Sequence, residues 1–336
     1  MHCKVILSTH EKDSAHEKDS ANEREDAQKG RNKKDMNHKK WKFMKNNYQL
    51  YLMLLPGLLL LLVFKYVPMY GIIIAFKDYS PIRGIMGSDW VGLEYFRRFL
   101  TLPTFNQLFG NTVLLSFYGM VFGFIAPIVL ALILNQIRHV GLKKNIQLIV
   151  YAPNFISTVI VVGMLFLLLS PVGPVNNLME AMGMERAMFM TDAAYFRTVY
   201  VVSGIWQTAG WSSIIYLATL SGIGPELIEA AKVDGANVMQ RIFHIDLPTL
   251  RPVSAIIFIL SVGGIMSIGF EKAYLMQTSL NLPRSEILAT YLYKVGLQMG
   301  DYSYSTAVGL FNAVINVILL LSVNFVVKRL NEGEGI

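Results

Sequence analysis

An all-α membrane protein with six transmembrane helices is the fold class that the sequence predicts, and three observations carry it. Six apolar stretches follow one another, each of at least about 18 residues and so able to cross a ~30 Å hydrocarbon core as a helix. Charged residues make up only 16% of the chain, against 53% hydrophobic ones, well under the ~25% charge of soluble domains. Lysine and arginine are also denser in alternate connecting segments, as a cytoplasmic face requires.

Residues 1–45 form a charged tail in which His10-Glu11-Lys12-Asp13-Ser14-Ala15 is repeated as His16 to Ala21. So little apolar surface cannot offset the entropy of ordering, so a disordered cytoplasmic tail is expected, in preference to a metal site. The single Cys3 excludes an internal disulfide. No cleavable signal peptide is expected, because the first apolar run starts deep in the chain.

The membrane domain occupies 46–330, with a short tail at 331–336. Its first span runs from Tyr48 to about Val67, with a kinked continuation past Pro68 to Phe76. The others are Thr112–Asn135, Ile146–Ser170, Thr198–Leu220, Val253–Phe270 and Thr306–Val327. Pro127 and Pro153 read as kinks or span boundaries. With the N-terminus in the cytoplasm, the inner segments 31–47, 136–145, 222–252 and 328–336 carry 15 Lys and Arg in 67 residues. The outer segments 67–110, 171–198 and 271–305 carry 9 in 107. Both termini and the loop 222–252 are therefore expected in the cytoplasm. The net charge of +7 lies mostly in the tail and beside the spans, so no nucleic-acid partner is expected.

The loop at 222–252 is the most informative interval. Pro225 suits a first helical turn, and Glu226 to Ala231 are good helix formers. Gly235 supplies the left-handed position that ends such a helix. A second amphipathic piece follows, with Val238, Ile242 and Ile245 at helical spacing, until Leu247-Pro248 stops it. Helix, glycine turn, helix is the expected order, with one face free to dock.

The order Glu229-Ala230-Ala231, three residues, Gly235, nine residues, Ile245, one residue, Leu247-Pro248 resembles the EAA loop of permease subunits in ATP-binding-cassette (ABC) importers of type I. It matches at every quoted position. The resemblance covers roughly 45–330. Within the carbohydrate-uptake, maltose-permease-like branch, Pro56 through Lys77-Asp78-Tyr79 and Trp90-Val91-Gly92-Leu93 resemble oligosaccharide permeases of polysaccharide-utilisation systems.

What the resemblance implies is a MetI-like permease fold, with its core at 107–330 and a cytoplasmic coupling helix between spans four and five. Substrate would cross by alternating access between this subunit and a second homologous permease. A cytoplasmic ATPase dimer would hold ATP and magnesium, and an extracellular solute-binding lipoprotein would deliver an oligosaccharide. The setting would be a bacterial plasma membrane, with lipid around the spans. Glu229, Ala230, Ala231, Asp234, Gly235 and Arg241 would form the contact with the ATPase.

This chain has no phosphate-cradling G-x-x-x-x-G-K-[ST] of its own, so no cofactor is expected in it. His2, His10, His16, His38, His139 and His244 lack paired ligands at metal-binding spacing. No nucleophile–base arrangement stands out, and a non-catalytic subunit is expected, with no catalytic or metal residues.

Polar residues inside the spans are costly unless they face a cavity or a partner. Trp206, Gln207 and Trp211 suit a carbohydrate, since indole faces stack on sugar C–H surfaces and an amide bonds hydroxyls. The alternative is that Trp206 packs on lipid or a helix while Gln207 bonds a neighbouring backbone. The corresponding span lines the sugar site in the related permeases. Ser267, in a small-residue stretch with Gly263-Gly264 and Gly269, and Asn312, four residues from Asn316, complete the candidate pathway; for the asparagines a subunit interface stays open. Glu271-Lys272 reads as a mutual surface pair. Trp90, Tyr79 and Tyr95 read as interfacial anchors rather than substrate contacts. Two alternatives differ in substance: an ABC permease for glycerol phosphate or a peptide, and a secondary transporter, which would need membrane charges and inverted repeats.

Overall fold

The computed structural model describes residues 46–264 and 269–330. The tails at 1–45 and 331–336, and Ser267, lie outside the described residues. The chain divides into two units, up to Gly71 and from Ile72 onward.

In the first unit, helix α1 (Tyr48–Leu61) is apolar all round and none of its residues is buried. A helix of that composition satisfies its backbone internally and exposes its side chains to lipid. Pro56 sits inside it. The helical path continues through a π turn at Leu62–Tyr66 and tighter 3-10 winding at Val67–Phe76, so winding changes ahead of Pro68.

The second unit opens with a two-residue antiparallel ladder, β1 (Lys77–Asp78) against β2 (Asp89–Trp90), with Lys77 opposite Trp90. Helix α2 (Glu94–Leu100) follows. The Tyr95 hydroxyl donates to Asp78 at 2.9 Å, and burial together with that carboxylate pushes its pKa up to about 12. Ser303 Oγ donates to the Lys77 carbonyl at 2.7 Å and accepts from Tyr79 N at 2.9 Å. Phe76 stacks on Trp90 at 5.9 Å between ring centroids. Ser303, in the first turn of the last helix, therefore ties that helix to this ladder.

Helix α3 (Phe105–Gln136) runs unbroken, and Pro127 is simply buried within it. The expected continuous third span is broken. Helix α4 (Val140–Tyr151) and helix α5 (Thr158–Leu168) meet at 102°. Pro153 lies in the 3-10 turn Ala152–Phe155 between them, and extended Ser157 caps α5 through Ile160 N. Pro153 is thus a boundary, and Pro127 is not.

Helix α6 (Ala193–Ser221) is the fourth span and packs along α3 as the most extensive helix pair of the unit. Gly210 makes a second close approach possible, because a Cβ there would overlap the Val150 carbonyl of α4. Helix α7 (Pro225–Val233) leaves α6 at 74°. Helix α8 (Val238–Arg241) then passes through a π turn at Ile242–Asp246 straight into α9 (Leu247–Gly263).

The expected stop at Leu247-Pro248 therefore does not occur. Leu247 N bonds Ile242 O in the wider π register, so the donor that Pro248 lacks falls where the ladder already changes step. At its other end the fifth span closes earlier than expected, since Gly263-Gly264 carry low helix propensity. Helix α10 (Phe270–Leu275) begins a separate element. Helices α11 (Leu288–Tyr293) and α12 (Tyr302–Leu330) complete the unit.

Among the described residues, Tyr48–Phe76, Phe105–Gln136, Val238–Gly263 and Tyr302–Phe325 are candidate spans by length and apolarity, and two bent pairs bring the number up to six if each is one span. Three apolar clusters hold the second unit. One centres on Leu115, Val162 and Phe196, a second on Phe99, Leu108 and Tyr304, and the third on Leu134, Tyr216 and Leu250. The third packs the stem of the loop that carries α7.

Candidate coupling and substrate sites

Helix α7 ends as its sequence dictates. Gly235 adopts φ +80°; Ala236 N bonds Ala231 O at 2.9 Å and Gly235 N bonds Lys232 O at 3.1 Å. This is the Schellman arrangement, in which a left-handed residue turns two spare amides back on the last carbonyls. Asn237 immediately starts the next helix with a reciprocal capping box: its side chain accepts from Gln240 N at 2.9 Å and Gln240 Oε1 accepts from Asn237 N at 2.7 Å. The turn is over-determined on both sides, so α7 is presented at one fixed angle.

Glu229, Ala230 and Asp234 are exposed on α7 and its cap, whereas Ala231 is half-buried. Arg241 differs from Glu229 and Asp234: it faces inward, half-buried, toward a cavity of about 160 Å³ lined by Gln136, Ile228, Lys232, Ile245 and Asp246. Asp246 is buried, accepts from Gln136 Nε2 at 3.0 Å and is attracted by Arg241. The loop thus turns Glu229, Ala230 and Asp234 outward together with the apolar Leu227 and Val233, and sets a charged latch onto the end of α3. Sequence reading missed Gln136 and Asp246, although Asp246 is the unspecified residue between Ile245 and Leu247.

The two candidate tryptophans line different cavities. Trp206 lines an apolar trough of about 460 Å³ with Val161, Leu165 and Phe189. Trp211 lines another of about 480 Å³ with Pro127 and Ser261, and its ring meets Phe155 edge-on at 5.5 Å. Five residues of helix separate the two indoles, which turns them roughly 140° apart. Gln207 Nε2 donates to Ile156 O at 3.0 Å, in the break between α4 and α5. Asn312 and Asn316 are half-buried on α12.

Lys272 is buried, and it is not the surface partner of Glu271. Its ammonium donates to Tyr200 O at 3.1 Å and lies 5.1 Å from the centre of the Tyr200 ring. A new helix starts at Phe270 after non-helical Gly269, and on it Lys272 is buried against α6 while Glu271 stays exposed.

Residues 123–332 match the family described as the inner membrane component of binding-protein-dependent transport systems. The chain belongs to that family. This binding-protein-dependent permease is 46% identical over 288 residues to the polygalacturonan/rhamnogalacturonan transport system permease protein YteP of Bacillus subtilis (strain 168), covering 85% of this chain and 89% of the relative. It is 42% identical over 294 residues to protein LplB of the same organism, covering 87% and 92%. Among solved structures, the permease resembles a chain from a crystal structure of a bacterial ABC transporter involved in import of the acidic polysaccharide alginate. That pair shares 39% identity and a TM-score of 0.79, over 86% of this chain and 98% of the other. A further match, at 38% identity and a TM-score of 0.80, covers 88% and 99%; it comes from the alginate transporter in complex with an alginate pentasaccharide-bound periplasmic protein. The chain is a multi-pass membrane permease of the ABC-importer type with a MetI-like fold.

Proposed function

We propose that this permease forms, with a second homologous permease, the alternating-access pathway of an importer for oligosaccharides released from polysaccharides. The observation that carries the reading is the outward-facing α7, fixed by the Gly235 turn and the Asn237 capping box and latched to α3 through Asp246. Relatives named for polygalacturonan/rhamnogalacturonan transport and alginate import support the sugar class. Glu229, Ala230, Asp234 and Gly235 form the docking face for a separate ATPase dimer, which holds ATP and magnesium. Ala231 and Arg241 brace that face from behind.

Closure of the ATPase dimer moves α7, and the Asp246–Gln136 latch carries that displacement into α3, and the stem of α6 follows through the Leu134–Tyr216–Leu250 cluster. The loop then faces the cytoplasm, both termini lie on that side, and an extracellular solute-binding lipoprotein delivers the sugar. The chain itself is non-catalytic. Trp206, Gln207, Trp211, Ser267 and Asn312 lie along the pathway as it forms against the second permease.

The test is purification in mild detergent followed by ATP hydrolysis assays with oligosaccharide-loaded binding protein. A complex holding the second permease and an ATPase dimer, stimulated by one sugar class, is the expected result. Transport by this chain alone in liposomes without ATP would overturn the reading.

A further inference from the structure

Arg197 sits one turn into α6, at the head of an apolar span. Its Nη2 donates to Asn111 Oδ1 at 2.8 Å. Asn111 is itself buried and locked, donating to the Pro283 and Glu286 carbonyls, each at 3.0 Å. Among the described residues no carboxylate pairs with Arg197. Glu286, whose backbone approaches through Asn111, engages Lys294 at 2.7 Å instead. Arg284 adds a second positive charge near enough to repel the first. Arg197 Nε is buried and finds no acceptor among the described residues.

Beside this guanidinium lies a cavity of about 440 Å³, walled by Tyr118, Phe122, Thr198, Val201 and Ile205 and containing no acidic residue. A cation without a counter-anion at the edge of the membrane is expensive and is kept where it meets a ligand. The planar guanidinium fork matches a carboxylate. Aromatic rings suit the C–H face of a pyranose, and the Tyr118 and Thr198 hydroxyls can bond sugar hydroxyls. We infer that this cavity is a subsite for one uronate residue of the transported oligosaccharide, with Arg197 reading its carboxylate and Arg284 raising the local potential. The inference rests on the oligosaccharide-import reading above.

The test is calorimetric binding of trigalacturonate and of its trimethyl ester to the purified importer without its binding protein. Esterification removes the charges and keeps rings and linkages. Wild type is expected to bind the acid at least about tenfold more tightly than the ester, as a charge-assisted hydrogen bond implies. Arg197→Gln should bring that ratio close to one, and Arg197→Lys should restore part of it. Arg284 is exposed, so Arg284→Gln should assemble normally; it is expected to lower the ratio about threefold. An unchanged ratio in Arg197→Gln, or in Arg284→Gln if the first variant does not assemble, would overturn the subsite. Equal binding of acid and ester by wild type, or binding of neither, would also overturn it. Uptake of the same sugars by the complete importer with its binding protein, measured separately, shows whether the import reading falls as well.

Discussion

The Asp246 carboxylate accepts a hydrogen bond from Gln136 Nε2 at 3.0 Å across 110 residues of sequence. This joins the far side of the α7 turn to the last residue of α3. Asp246 is buried, and removing a buried acceptor leaves its donor unsatisfied at about 1–3 kcal/mol. Asp246→Ala should therefore lower the thermal midpoint of the purified complex by several degrees, while Asp246→Asn, which keeps an acceptor, should lower it less. Equal losses in the two variants would assign the stabilisation to the charge attracted by Arg241 rather than to the Gln136 bond.

Gly235 is the second critical point of the same loop. At φ +80° an L-residue costs roughly 1–2 kcal/mol, and nothing lies within 4 Å of an added Cβ. The penalty is thus one of backbone conformation and falls on the angle at which α7 is presented. Gly235→Ala, which meets the backbone penalty alone, should lower uptake, and Gly235→Asp, which also places a negative charge on the proposed docking face, should abolish it while the protein still accumulates in the membrane. Uptake at the wild-type rate in the Asp variant would remove the coupling role from this turn.

The α7 turn was legible because it is local: Pro225 and Gly235 fix its ends through rules that reach only three to six residues, although the equally local capping box at Asn237 went unread. The apolar spans were legible for a similar reason, since length against bilayer thickness decides them. Three features were not. The π turn rescues Pro248 by a change of register that no composition signals. The 102° break in the third span depends on Ser157 capping a new helix, and a lone serine in an apolar run does not announce that. Arg197 and Lys272 look like loop charges at the edges of apolar runs; only packing across α3, α6 and α10 turns them inward. For the same reason Trp206, Gln207 and Trp211 looked contiguous in sequence, although the helix points them apart.

Close packing of α6 on α4 gives a prediction about assembly. A Cβ on Gly210 would overlap the Val150 carbonyl, and the collision is with backbone rather than with a flexible side chain. Separating two packed helices costs the contacts of everything around them, so overpacking of about 1–3 kcal/mol is the minimum expected. Gly210→Ala should reduce the amount of folded protein recovered from membranes, whereas Gly163→Ala, where nothing lies within 4 Å, should not. Measured by fluorescence-detected size exclusion, similar recovery of the two variants would contradict the close approach.

Lys272 supplies a pH dependence whose sign follows from its burial. Loss of solvent pushes its pKa down to about 8, below the ~10.4 of an unfolded lysine. Between those two values the unfolded chain holds a proton that the folded chain has released, so stability rises with pH across that window. Below about pH 8 both states carry the proton, and the folded state bears the cost of a buried ammonium that rests on the Tyr200 carbonyl and ring. Replacing a buried charge with an apolar side chain of similar volume is often neutral or stabilising. Lys272→Met should therefore be at least as stable as wild type at pH 7 and show a flatter thermal midpoint from pH 8 to 10. If thermal unfolding of the two proteins follows the same slope over that range, Lys272 is solvated in the assembled importer.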